Sequence, residues 1–410
     1  MVEFSKIVKK NKKSEGPPET GPAEAKIPAE TEPRSSAPQV PPVSEEPAED
    51  AVKEAQENPQ QEFPRIDIKP LFTQKFHQRP QTTPSESEGL GFLPTSPMES
   101  PAASVESPDA NQQAVDAYES LFGLARQIFR KDVTFESLDT KGITEIVTKA
   151  ARVIAERNQK IIELAIAYVD RKSGSYLFQH STNVCILSLM IGADLRYEPE
   201  KLSELGLSAF LHDIGMVYYE DMVEVPRKLT QKEFNEIKKH VEAGEAILKR
   251  MGAAIGETII AVNGEIHERL DGSGYPQGKK VIHDFARIIA LVDAFESMIH
   301  PRSYRPRYST VDVYKRIVDS KEKFDQNLIR ILIDNIGFFP NGSYVTLNTK
   351  ETGLVIGQNP RSPLRPVIRI IYGVNGQQLT GDEVKLVDLA KLPTIHIKDC
   401  FLEDINVANP

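Results

Sequence analysis

The chain is expected to be mainly α, with a helical domain over residues 111–338, a small β-barrel or sandwich over residues 339–410, and a disordered tail over residues 1–110. Three observations predict this. Eighteen of the 29 prolines precede residue 111, in a stretch crowded with Glu, Ser, Gln and Lys. Apolar residues then recur at spacings of three and four, the period of a helix with one buried face. After Gly337-Phe338-Phe339-Pro340-Asn341-Gly342 they gather instead into short runs divided by turn residues.

The tail cannot bury enough apolar surface to offset the entropy of ordering it. Its one apolar run, residues 63–76 with Phe63, Ile66, Ile68, Leu71, Phe72 and Phe76, is a candidate docking motif for signalling-protein partners. Chance aromatics in a polar tail are the plainer reading.

In the helical domain, Ile143, Ile146, Val147, Ala150, Val153 and Ile154 form a stripe that Ile161, Ile162, Ala165 and Ile166 continue. Read as one long helix from Ile143 to Val169, it offers a surface for a homodimer. Further helices are expected over residues 179–195, 204–212, 232–250, 255–268 and 285–298. Thr230-Gln231-Lys232-Glu233 has the form of a capping box and starts a helix just ahead of His240. Beyond residue 340, strands are expected over 343–347, 353–357, 366–372, 384–389 and 394–397, with Asn359-Pro360 and Asn375-Gly376 among the turns.

Composition narrows the function. With 40% hydrophobic residues, 410 residues can build a sizeable core. A net charge of −9 disfavours duplex nucleic acid as the main partner, because phosphate binding needs a clustered positive field. Cys185 and Cys400 lie far apart and read as small buried hydrophobes in a reducing compartment. The sequence has no run of 18 apolar residues, and Met1-Val2-Glu3-Phe4-Ser5 leads into Lys-rich sequence. No membrane span or signal peptide is therefore expected, and the expected location is cytoplasmic. No P-loop or Rossmann glycine pattern occurs.

The residues that carry chemistry are His180, His212-Asp213, His240, His267 and Asp293, each on or at the end of an apolar helix. Asp293 sits in Ile288-Ile289-Ala290-Leu291-Val292-Asp293-Ala294-Phe295, where an unpaired carboxylate would be costly. Imidazole nitrogen and carboxylate oxygen together suit Fe, Mn, Mg or Zn, and a bound ion offsets the burial of their charges. A lone His180 or His240 is more often a solvated or capping histidine, so the joint pattern decides. His180-Ser181-Thr182-Asn183-Val184, His212-Asp213-Ile214-Gly215, His240-Val241-Glu242-Ala243-Gly244, Asp271-Gly272-Ser273-Gly274-Tyr275-Pro276 and Leu291-Val292-Asp293-Ala294-Phe295 occur in that order. They resemble, in the same order, the HSxxV, HDIG, HPxxG, DGxGYP and VADxF motifs of the HD-GYP phosphodiesterases, a branch of the HD metallohydrolases. Arg302, Tyr304 and Arg305 fall where that family has RPYR. The resemblance covers roughly residues 111–335.

The resemblance implies hydrolysis of cyclic di-GMP at a site of one or two divalent ions. His180, His212, Asp213 and Asp293 would hold the first ion, and Asp213, His240 and His267 the second, with Asp213 bridging and His212-Asp213 as the catalytic pair. Such a pair of cations polarises a phosphodiester and acidifies a water between them. Gly274, Tyr275, Pro276, Arg302 and Arg305 would bind substrate. Gly272 and Gly274 are expected to form a positive-φ turn. Two departures stand out. Ile266 replaces a histidine ligand of the second ion, with Asn263 one turn earlier as a weak substitute. Met216 replaces the lysine that commonly follows HDIG. Three functions are then open: a working or slowed cyclic di-GMP phosphodiesterase, a cyclic dinucleotide-binding or protein-interaction regulator without turnover, and a hydrolase of another phosphorylated substrate.

Overall fold

The structure, a computed structural model, describes residues 108–167, 176–252, 255–359 and 362–401. The tail with its 63–76 run lies outside them, as does Val169. Helix α1, Pro108–Ile128, opens the described chain and buries Ala114, Tyr118, Leu121 and Phe122 on one face.

The expected long helix after Ile143 is two helices. Helix α2, Thr140–Ala155, ends where Arg157 takes a φ of 62°. Asn158 then starts α3, Gln159–Ile166, its side-chain oxygen accepting the Lys160 and Ile161 amides at 2.9 and 3.4 Å. An Asn that offers the backbone this local bond competes with helix continuation, and the stripe simply resumes on the next helix. Among the described residues, the stripe from Ile143 to Ile166 is therefore not a single helix face.

Helix α4, Tyr176–Asp194, is central: nearly every residue from His180 to Gly192 is buried, so it lacks the polar stripe of a surface helix. Helix α5, Pro199–Leu211, begins with proline at its first position and packs along α4. A 3₁₀ turn, Ile214–Tyr218, and short α6, Glu220–Val223, follow.

The helix expected over 232–250 is also divided, into α7, Gln231–Ile237, and α8, His240–Arg250. Thr230 and Glu233 form the expected capping box at the start of α7. Helix α9, Glu257–Asn263, stops short of the expected 268. Helices α10, Asp284–Ile299, α11, Thr310–Asp319, and α12, Gln326–Ile336, complete the helical part.

The C-terminal strands are β1, Tyr344–Leu347, β2, Thr352–Gly357, β3, Val367–Tyr372, β4, Lys385–Asp388, and β5, Ile397–Phe401. They form one antiparallel sheet in the order β4-β3-β2-β1-β5, which is not closed into a barrel. Val345, Leu347, Val355, Ile368 and Ile370 are its buried side chains. Among the described residues no helix is long and apolar enough to cross a membrane.

Candidate metal centre

The ends of helices, more than their middles, deliver the site. His180 lies near the start of α4, His212 caps the C-terminus of α5, and Asp213 begins the turn after it. His240 is the first residue of α8, His267 follows the end of α9, and Asp293 projects from α10. The breaks that sequence periodicity missed are what place His240 and His267.

All six side chains converge. Asp213 Oδ2 is 3.6 Å from both His180 Nε2 and His212 Nε2, while Oδ1 is 3.4 Å from His240 Nε2 and 3.7 Å from His267 Nε2. Asp293 Oδ1 lies 3.4 Å from His180 Nε2, and its Oδ2 3.9 Å from His267 Nδ1. Two groups of candidate ligands result among the described residues: His180, His212 and Asp293, and Asp213, His240 and His267. Within each group the ligand atoms lie within 4.8 Å of one another.

The surroundings fit divalent metal. His212 Nδ1 donates to the Ala209 carbonyl at 2.8 Å, and His240 Nδ1 to the Ile237 carbonyl at 2.7 Å. His180 Nδ1 donates to Glu296 Oε2 at 2.5 Å. Each bond fixes the tautomer, leaving the Nε2 lone pair pointing into the cluster. His212 Nε2 and Asp213 Oδ1 are buried without a hydrogen-bond partner, and unpartnered buried polar atoms are costly. His240 and His267 Nε2 face each other at 2.8 Å. Two imidazole lone pairs cannot approach so closely unless a proton or a cation lies between them.

Charge follows the same logic. Burial opposes ionisation of Asp213 and Asp293, but the surrounding histidines win, holding Asp213 well below the usual carboxylate range and Asp293 at about 2. Burial opposes the charged form of His180 too, yet Glu296, Asp213 and Asp293 push it well upward. Burial is also the largest influence on His267 and lowers it, while His240 rises despite burial through Asp213. Protons or divalent ions would balance the charge of such a cluster.

The glycine motif surrounds one side of the cluster. Tyr275 stacks on His267 with ring centres 4.8 Å apart and planes 11° apart, and the Tyr275–Pro276 peptide is cis. Gly272 has the expected positive φ of 84°, whereas Gly274 does not. Gly274 is needed for close approach: a Cβ there would stand 2.4 Å from Glu268 Cα and 2.5 Å from the His267 carbonyl. Gly215 is similar, its Cβ falling 2.0 Å from the His240 carbonyl, so it lets the His212-Asp213 turn press against α8.

The two arginines separate. Arg302 Nη2 lies 3.6 Å from Glu296 Oε2, and its guanidinium stands 4.6 Å over the Tyr176 ring, beside His180. Arg305 is bonded to the carbonyls of Ser297, Met298 and Pro306 at the end of α10. That guanidinium holds backbone. Asn263 Nδ2 donates to the His212 carbonyl at 2.7 Å, beside Gly244, while its Oδ1, the atom offered as a substitute ligand, is buried without a hydrogen-bond partner. Ile266 and Met216 are both buried and supply no polar atom where they stand.

Two acidic residues escaped sequence reasoning. Glu268, 1% exposed, accepts the Gln277 amide at 2.7 Å and the Lys279 amide at 3.0 Å, and thereby ties down the loop after Pro276. Glu296, also 1% exposed, contacts His180, Asn183, His300 and Arg302. The signal was present but weak, an acidic residue beside a motif histidine or one turn beyond a motif aspartate.

Comparison with known proteins agrees with this geometry. Residues 151–328 match the HD domain, and residues 344–404 match the KOW domain associated with HD domain. A cyclic di-GMP phosphodiesterase of Pseudomonas aeruginosa is 26% identical over 267 residues, 64% of this chain and 63% of that protein. A second cyclic di-GMP phosphodiesterase, PdeB of Borreliella burgdorferi, is 26% identical over 221 residues, 52% of this chain and 57% of that one. A 3'3'-cGAMP-specific phosphodiesterase of Vibrio cholerae is 31% identical over 186 residues, 44% of this chain and 42% of its own. The chain spans less than two thirds of each of these relatives. On motif order, cluster geometry and family match together, residues 151–328 are an HD domain carrying the HD-GYP motif set on its helices, and residues 344–404 match a KOW domain behind it.

Proposed function

We propose that this chain is a metal-dependent phosphodiesterase that hydrolyses cyclic di-GMP to its linear dinucleotide. The observation that carries the reading is Asp213, whose carboxylate lies within 3.7 Å of imidazole nitrogens from four histidines, at the junction of both ligand groups. Relatives acting on cyclic di-GMP and on 3'3'-cGAMP support the substrate class. Divalent ions held by His180, His212, Asp293 and a shared Asp213, and by Asp213, His240 and His267, would polarise a phosphodiester and activate water. Water would add oxygen to phosphorus, the bond from phosphorus to one ribose O3′ would break, and that oxygen would take up a proton. Tyr275, stacked on His267, offers a ring face beside the scissile group, and Arg302 is the arginine that stands by His180. Arg305 has no part in this scheme.

A second reading is favoured by one observation, the buried alkyl side chain of Ile266 beside His267. With three protein ligands, the Asp213–His240–His267 group would bind its ion more weakly, and the chain would bind cyclic dinucleotide or a protein partner without appreciable turnover. The identity of the metal and of any signalling partner belongs to the same proposal.

Metal analysis and one hydrolysis assay decide between the readings. Wild type is expected to hold one tight ion and one weaker ion. Ile266→His, alone or with Met216→Lys, should raise both metal content and release of linear dinucleotide, because imidazole is a strong ligand for first-row metals. Asp213→Ala should lose both ions. Wild type with two tight ions and the same rate as Ile266→His would remove the impaired-site reading. Absence of metal from wild type would remove the phosphodiesterase.

A further inference from the structure

We infer that Glu296 is a positioning residue for the metal centre. Its buried carboxylate, acting through His180 Nδ1, sets which nitrogen of that imidazole faces the first ion. The inference rests on the reading that His180, His212 and Asp293 hold metal, and adds to it a residue that touches neither metal nor substrate.

Glu296 follows Asp293 by three residues on α10, so both project from the same side of the helix towards α4. A carboxylate that is 1% exposed must be compensated, and every atom of this one is. Oε2 accepts the short bond from His180 Nδ1 and lies 3.6 Å from the Arg302 guanidinium. Oε1 accepts from Asn183 Nδ2 at 2.9 Å and lies 3.0 Å from His300 Nδ1. Asn183 is held in turn, its side-chain oxygen accepting the Tyr118 hydroxyl at 3.1 Å. Tyr118 lies on α1, Asn183 and His180 on α4, and Glu296 and Asp293 on α10. The three helices are thus connected through one carboxylate, and the far end of that connection is a candidate ligand.

The geometry leaves Glu296 little other role. A carboxylate placed there only to neutralise Arg302 would not need the bond to His180, and one serving only as packing would not need its charge. His212 and His240 orient their rings with neutral backbone carbonyls, but His180 is oriented by an anion. An anionic acceptor makes the opposite nitrogen a stronger donor to a cation. The first ligand group is therefore the one that depends on a side chain outside the centre.

The test uses the full-length chain, stripped with a chelator and titrated with Co²⁺ alone, with visible absorption and metal content after dialysis as readouts. Wild type, Glu296→Gln, Glu296→Asp and His267→Ala are compared, and melting of each metal-free protein is followed in parallel. Gln keeps the shape and the bond from Asn183 but offers His180 no anion. It should weaken one class of Co²⁺ site by roughly ten- to hundredfold, with a changed spectrum and the second class intact. His267→Ala should show the opposite selectivity, and Glu296→Asp should recover part of the loss by restoring the anion. Wild-type affinity and spectrum in Glu296→Gln would overturn the inference while leaving the phosphodiesterase reading in place. Wild type that binds no Co²⁺ would overturn both. Should Glu296→Gln fail to fold, histidine ¹⁵N shifts of zinc-loaded wild type decide. A protonated Nδ1 with coordinated Nε2 at His180 supports the inference, and the reverse assignment ends it.

Discussion

Glu268 sits directly after a candidate ligand yet faces away from the metal centre. Both carboxyl oxygens accept backbone amides of the loop from Pro276 to Lys279, which Lys279 Nζ also ties to Glu265 Oε1 at 2.9 Å. Replacing Glu268 by Gln keeps the volume but turns one acceptor into a donor facing an N–H group. The loss should be about 1–3 kcal/mol, since a buried amide is left unpaired. Urea midpoints of the metal-free chain would read it. Hydrolysis should fall further than stability, because the same loop carries Tyr275 onto His267. Unchanged activity with the stability loss would show that the loop is only a structural tie. At this scale the residues that converge were legible as candidate ligands, because His and Asp types at motif spacings have few other uses in apolar sequence. Glu268 and Glu296 were not, since a single acidic residue on a helix reads equally well as solvated surface. The carbonyls that Arg305 and Asn263 bind were not legible either, as they come from the folded backbone.

At the scale of elements, the caps decide what periodicity cannot. The apolar stripe runs through 143–166 without interruption, yet Asn158 and the left-handed Arg157 turn the chain between α2 and α3. Asn158 also donates from its side chain to the Ala110 carbonyl at 3.0 Å, linking α3 to the start of α1. Asn158→Ala should therefore cost more than the ~1 kcal/mol of an ordinary cap. Thr230→Ala at the exposed start of α7 should cost about that amount and no more. Chemical denaturation of the two variants side by side gives the comparison, and equal losses would remove the linking role of Asn158. The division of α7 from α8 is of the same kind. His240 Nδ1 donates to the carbonyl of Ile237, the last residue of α7, so the ring that faces the candidate metal centre also terminates a helix.

On the scale of the molecule, the helical part and the sheet are proposed to be separate in chemistry and joined in stability. Thr310 Oγ1 donates to the Phe338 carbonyl at 2.7 Å, and Asn341 Nδ2 to Glu163 Oε1 at 3.1 Å. The Asn341 bond fastens the start of the β module to α3, and the Thr310 bond holds the segment that leads into it against α11. Removing residues 340–410 should lower solubility and thermal stability while leaving the metal content of the remaining helical part nearly unchanged. Metal analysis of the truncated chain beside its melting curve tests this, and metal lost in proportion while the helices persist would contradict it.

What the sequence determined by itself was the class of the fold, the order of the motifs and the ligand types. Each follows from local periodicity or from side-chain chemistry that survives in any conformation. Tertiary structure alone decided which helix ends meet, that Asp213 lies between both ligand groups, and that Gly274 is required for closeness and not for a positive φ. It also decided that Glu296 stands behind His180. These are relations between separate segments, 116 residues apart for His180 and Glu296, and hydrophobic spacing within one helix holds no information about the partner its buried polar atoms will find.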